Sequence, residues 1–113
     1  MGDQMLSIAE EFSKFCSGRV EADGPNNGTK FRRTLLLPRL REVIASGDRL
    51  FVSMDGLLAC GSSFLDSAFG GLVYDEGVPK KDINRHLVIV AVAKELQRYR
   101  DVAQRRIDVA KPA

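Results

Sequence analysis

Residues 87–92 read Leu-Val-Ile-Val-Ala-Val, six positions without a polar side chain. Alternate side chains of a strand point to opposite sides, so this run as a strand has no face to offer water. It suits a strand covered on both faces, and the chain must therefore supply helices to cover it. The rest of the sequence contains them. Residues 31–45 carry apolar side chains at 31, 35, 36, 40, 43 and 44, which is helical spacing. Pro38 lies inside that stretch and predicts a kink, or two short helices with Pro38 opening the second. Ser46-Gly47-Asp48 predicts its end.

Residues 61–73, GSSFLDSAFGGLV, place apolar residues at 64, 65, 68, 69, 72 and 73. Two adjacent apolar positions per turn make a helix with one buried face. Ser63 followed by Asp66 resembles a capping box opening it. Gly70 and Gly71 inside this helix each cost about 1 kcal/mol relative to alanine, which is tolerable where the helix must approach a strand or a partner closely. The last helix is expected over 93–110, with Leu96, Tyr99, Ala103, Ile107 and Ala110 along one stripe.

Strands complete the pattern. Residues 49–54, RLFVSM, alternate between turn residues and predict a strand. Residues 5–12 suit a first strand, although Glu10 and Glu11 also suit a helix. Residues 17–29 hold Gly18, Gly24, Pro25, Gly28 and an Asn pair, and read as loop, with a short strand possible over 19–22. Residues 74–84 are polar, contain Gly77 and Pro79, and also read as loop. Alternation of strand and helix predicts an α/β (α+β) fold, a mixed sheet of about four strands with helices packed on it. At 113 residues the whole chain, 1–113, is expected to be one domain.

Composition excludes more than it selects. Seventeen Lys and Arg against fifteen Asp and Glu leave a net charge of +2, too even for nucleic-acid binding by bulk charge. The basic excess of residues 94–113 reads as a solvated helix face. Cys16 and Cys60 lack metal-ligand spacing, and Cys60 ends an apolar run as a reduced core thiol. No apolar stretch reaches the roughly 18 residues of a membrane span. The N-terminus has no cationic segment leading into an apolar one. The expected setting is the cytoplasm, with no membrane partner.

Catalytic patterns are not met. The one histidine, His86, has no cysteine or carboxylate at ligand spacing. A nucleophile elbow needs Gly-x-Ser-x-Gly, and Gly61-Ser62-Ser63-Phe64-Leu65 has leucine where the second glycine belongs. The glycines at 56 and 61 have phosphate-loop spacing, but Ser62 stands in place of lysine. No catalytic residue, cofactor or metal is assigned. What stands out is the serine pair where an apolar run feeds a helix. Backbone N–H groups and the helix dipole there favour negative charge, so a phosphate on either serine would be stabilised by its own helix. A plainer reading makes one serine the cap.

Residues 55–73, DGLLACGSSFLDSAFGGLV, resemble the STAS-like domain family of unknown function. Asp23-Gly24-Pro25, Gly28, Phe31-Arg32 and Leu35-Leu36-Leu37-Pro38 are similar to that family's first loop and helix, so the likeness runs over about residues 5–95. STAS domains are named from sulfate transporters and anti-sigma-factor antagonists. The resemblance implies a sheet with helices on it and a regulatory role. In the antagonists, a serine in an Asp-Ser-Ser-Gly segment at a helix start is phosphorylated by an anti-sigma kinase, which breaks the complex with that kinase. Ser63 matches that serine and Ser62 its neighbour, while Gly61 replaces the aspartate and Phe64 the glycine.

The resemblance thus implies a protein-binding module whose partner is a histidine-kinase-like ATPase. Ser63 or Ser62 would be its phosphorylation site, and Phe64, Asp66, Asp23, Gly24 and Asn27 its partner contacts. A second expectation is a constitutive assembly subunit that packs closely through Gly70 and Gly71 without phosphorylation. A third, resting on the basic last helix and the loops, is a small enzyme or nucleic-acid binder.

Overall fold

The computed structural model describes residues 2–113. Three strands, β1 (Gln4–Ser7), β3 (Leu50–Ser53) and β5 (Leu87–Val90), form one sheet in the order β1-β3-β5. Two shorter strands, β2 (Phe15–Cys16) and β4 (Ala59–Cys60), pair separately. The α/β architecture is the expected one. The sheet differs in detail, because both ladders are wholly parallel and are split three and two.

Register explains which residues are buried. Gln4, Leu50 and Leu87 align, as do Leu6, Val52 and Ile89, and the apolar members of both rows are buried. The intervening row of Met5, Phe51 and Val88 faces the other way and is only partly covered. The run at 87–92, expected to be covered on both faces, is therefore sealed on one face only, the other running from half-buried Val88 and Val90 to Val92 at 86% exposed. The outer edge of β1 is guarded by Arg39, which donates to the Met5 carbonyl at 2.7 Å and pairs with Glu11. Such cover prevents an edge strand from recruiting another chain.

The region read as either strand or helix is both. β1 runs to Ser7, whose hydroxyl accepts from the Glu10 N–H and opens α1 (Ile8–Glu11). The short strand expected over 19–22 is absent. Asp23 takes the Arg19 and Val20 N–H groups at 3.0 and 3.2 Å, folding that stretch into a 3₁₀ turn, Glu21–Asp23.

A long helix follows without a gap: α2 (Gly28–Phe31), a π turn (Arg32–Leu36) and α3 (Leu37–Ser46). Pro38 lies in the first turn of α3, as expected, but the break takes the form of the wider turn before it. Proline donates no hydrogen bond and its ring crowds the carbonyl four residues back. The π turn accommodates both, with the Leu37 N–H reaching the Arg32 carbonyl five residues back. Gly47, at φ 77°, ends the helix.

The second long helix is built the same way: α4 (Ser62–Leu65), a π turn (Asp66–Gly70) and α5 (Gly71–Tyr74). Its apolar stripe is buried throughout, Phe64 to Val73. The expected capping box does not form. Gly61 is the N-cap and makes no side-chain bond, and Ser62 and Ser63 are the first helical residues.

The polar loop expected over 74–84 contains α6 (Lys80–His86) instead. Ile83 is its one buried residue, which leaves no stripe to read. Its end signals are ordinary, with Pro79 before it, Asp82 in the first turn and Arg85 and His86 in the last. His86 is structural, its Nδ1–H donating to the Asp48 carbonyl at 2.8 Å. A 3₁₀ turn (Lys94–Leu96) and α7 (Gln97–Val109) close the fold, with Ala103 and Ile107 buried against the second long helix.

Candidate functional site

The two-stranded ladder decides where the site lies. Pairing β2 with β4 sets residue 16 beside residue 60, so the segments that leave these strands run side by side. One is 17–19, anchored by Gly28 N–H to the Gly18 carbonyl and Thr29 N–H to the Arg19 carbonyl. The other is Gly61 and the start of α4, with Gly61 N–H on the Cys16 carbonyl at 3.0 Å. Ser17, Gly18, Arg19, Asp23, Gly61, Ser62 and Ser63 enclose an open cleft of about 600 Å³ between them.

Gly28 holds its far wall close. A Cβ there would stand 2.6 Å from the Phe64 carbonyl oxygen and 2.8 Å from the Ser67 Cβ, so only glycine lets the two long helices meet here. Ser67 joins them, its hydroxyl 3.0 Å from that of Thr29 and donating to the Arg19 carbonyl at 3.1 Å.

The charges of the cleft are Arg19 and Asp23, with Asp66 behind. Arg19 is half-exposed and pairs with Asp66 at 2.5 Å, and Tyr74 donates to the same carboxylate oxygen at 3.2 Å. The Asp66 carboxylate raises the Arg19 pKa further. Burial, and then Asp66, raise that of Tyr74. Two backbone N–H groups hold the Asp23 carboxyl below the ordinary carboxylate range. Ser62 and Ser63 are exposed on the cleft rim.

Of the expected site residues, Ser62, Ser63 and Asp23 come together, with Gly24 next in the loop at φ 136°. Asp66 reaches the cleft only through Arg19. Two expected contacts are corrected. Phe64 is wholly buried, stacked among Phe12 and Phe31 with centroids 6.1 and 5.7 Å away, and is a core residue in this fold. Asn27 is also buried. Its Oδ1 accepts from the Lys30 N–H and caps α2, and its Nδ2 donates to the Gly24 carbonyl. Asp55 forms a turn, its carboxylate receiving the Val92 and Ala93 N–H groups, which lower its pKa.

The glycines of the second long helix also serve the chain itself. A Cβ on Gly71 would overlap the Arg32 guanidinium, and one on Gly70 would stand 2.9 Å from Asp66 Oδ1. Arg32 is completely buried. It pairs with Glu76 at 2.9 Å and Asp75 at 3.0 Å, and donates through Nη1 to the Ser67 carbonyl. Sequence reasoning missed Arg19 and Arg32. The glycine pair signalled a close approach, and the approaching group is Arg32.

No group of three or more His, Cys, Asp or Glu among the described residues is placed to hold a metal ion. No helix among them is long and apolar enough to cross a membrane. No curated protein and no solved structure matches the chain. The family described as the STAS-like domain of unknown function matches residues 27–97. That span takes in both long helices, the β3–β5 pair and the Ser62–Ser63 rim, while Arg19 and Asp23 precede it. Covering more than half of the 113 residues, the match shows that the chain belongs to the family of STAS-like domains of unknown function.

Proposed function

We propose that this chain is a regulatory protein-binding module, that the cleft bounded by Ser62, Ser63, Arg19 and Asp23 is its docking face, and that Ser63 is its phosphorylation switch. One observation carries the reading. The two serines at the start of the second long helix are exposed, and neither is used as its cap. Gly61 holds the position from which a serine would cap the helix, so both hydroxyls remain on the rim of a cleft.

The charges supply the switch. A phosphate adds about −2, and on Ser63 it would enter a cleft that already holds the ionised Asp23 carboxylate. Arg19 is the cation that lines this cleft. It is half-exposed and bound to a single carboxylate, so it exchanges Asp66 for the phosphate at small cost. Modification thus turns a rim on which Arg19 and Asp23 balance into a strongly negative one and moves the arginine. A partner fitted to one state is repelled by the other. The partner this mode suits best is a protein of the histidine-kinase-like ATPase class, as for the anti-sigma-factor antagonists that the serine segment resembles.

A constitutive assembly role is the second reading. Gly70 and Gly71 no longer support it, since both pack within the chain. Phe15 and Leu58, 59% and 66% exposed in the paired segments beside the cleft, do. Their apolar surface would form the centre of an interface that needs no phosphate.

The test is to isolate the protein from its host with its stoichiometric partner, map phosphate on the peptide containing Ser62 and Ser63, and compare partner affinity of Ser63→Ala and Ser63→Asp. The switch predicts that the two variants differ by at least about tenfold, or 1.4 kcal/mol. Equal affinities for a bound partner would leave the constitutive reading in its place.

A further inference from the structure

β2 and β4 each end on a cysteine, and their register sets Cys16 directly opposite Cys60. Paired strands lie about 4.8 Å apart and directly opposed residues share a face. That separation falls inside the roughly 4.4–6.8 Å between Cα atoms that a disulfide bridges. Both thiols are free, and the Cys16 Sγ–H donates to the Ser13 carbonyl at 3.3 Å. The neighbouring Cys60 side chain holds the Cys16 thiol below its ordinary pKa, while Cys16 and burial push that of Cys60 up. Cys16 is 2% exposed. Cys60 is only half-buried and opens onto a recess of about 320 Å³ that Arg98 and Tyr99 also line. A small reagent therefore reaches the pair at Cys60, and an anionic one meets the Arg98 guanidinium there.

We propose that Cys16 and Cys60 are a reversible dithiol–disulfide pair, oxidised by exchange with a small anionic disulfide that enters at Cys60. In the first step the Cys60 thiol, the one a reagent can reach, gives its proton to solvent and the resulting thiolate attacks one sulfur of the reagent. The reagent's S–S bond breaks, and half of it leaves as a thiolate that takes up a proton. In the second step Cys16 loses its proton and attacks the Cys60 sulfur, expelling the other half as thiolate. Two protein S–H bonds become one S–S bond, and one small disulfide becomes two thiols.

The cross-link lies directly under the cleft, because Cys16 precedes Ser17–Arg19 and Cys60 precedes Gly61–Ser63. It ties the two walls together and makes the cleft's rigidity depend on redox state. This consequence rests on the reading of the cleft as a docking face; the disulfide itself does not.

The experiment equilibrates the full chain in glutathione redox buffers and reads intact mass and non-reduced peptides. The wild type is expected to lose two hydrogens, to link the Cys16 and Cys60 peptides, to melt higher when oxidised, and to revert fully with dithiothreitol. Cys16→Ser is expected to stop at one glutathione adduct on Cys60. Cys60→Ser is expected to react at least about tenfold more slowly, its remaining thiol being buried. Two adducts on the wild type, a lasting single adduct, bridging only between chains, or no reaction across the buffer range would each overturn the proposal. The wild-type mass decides it even where a variant does not fold, and no partner is needed for the readout.

Discussion

Two arginines grip the same long helix and do opposite things. Arg32 is wholly buried, its three donor nitrogens held by Glu76, Asp75 and the Ser67 carbonyl. Arg19 is half-exposed and held through one nitrogen by Asp66. Ser67 lies between them, accepting from Arg32 and donating to the Arg19 carbonyl. A guanidinium with every face occupied fixes the crossing of the two helices. A guanidinium with one partner beside open water can change partners. The same chemistry thus builds a rigid interior and, at the other end of the same turn, a rim free to respond.

The largest effect that tests this contrast is Arg32→Ala. It leaves Glu76, whose side chain is 15% exposed, with only the longer 3.5 Å contact to Arg33, and leaves a cavity, so stability should fall by about 3–5 kcal/mol in urea unfolding. Arg32→Lys should not restore it, because an ammonium cannot span three acceptors in a plane. Gly71→Ala comes next, at about 1–3 kcal/mol, from overpacking against the guanidinium. The double variant sharpens the point. In the Arg32→Ala background the added methyl fills the space the side chain vacated, and Gly71→Ala should lose most of its cost.

Arg19→Ala should change stability by no more than about 1 kcal/mol, as exposed ion pairs do. A loss equal to that of Arg32→Ala would break the comparison outright. The smallest effect is on pH dependence. The folded Asp23 pKa lies below its unfolded value because the Arg19 and Val20 N–H groups bind the carboxylate. Its contribution is therefore complete above the unfolded value of about 3.9 and is lost as pH falls through the folded one. Stability measured against pH should show wild type and Asp23→Asn separated by a constant amount above that value and converging below it.

Much of this architecture was legible because apolar periodicity records burial. The stripe at 64, 65, 68, 69, 72 and 73 already assigned Phe64 to the core. The likeness of its segment to a phosphorylated turn argued for a surface role, and the periodicity was the better guide. The serine pair was visible, but not that Gly61 would take the cap. Arg32 was unreadable as a core residue, since a charged side chain in a helix ordinarily marks the solvent face and its carboxylate partners lie more than forty residues away. α6 carries one buried apolar residue and so no period. β2 and β4, at two residues each, are below the length at which alternation exists. Without them neither the cleft nor the cysteine pair follows from the sequence.

The central claim is that the Ser62–Ser63 rim is the surface through which this domain works. The most direct measurement places a photo-activated cross-linking residue at position 62 and, separately, at position 42. Glu42 is also exposed but lies beside the amino end of β1, where it accepts from Gln4. Activated in the native host, position 62 should yield a defined protein adduct that Ser63→Asp abolishes, and position 42 should yield none. Equal adducts from both positions, or an adduct from position 42 alone, would contradict the account.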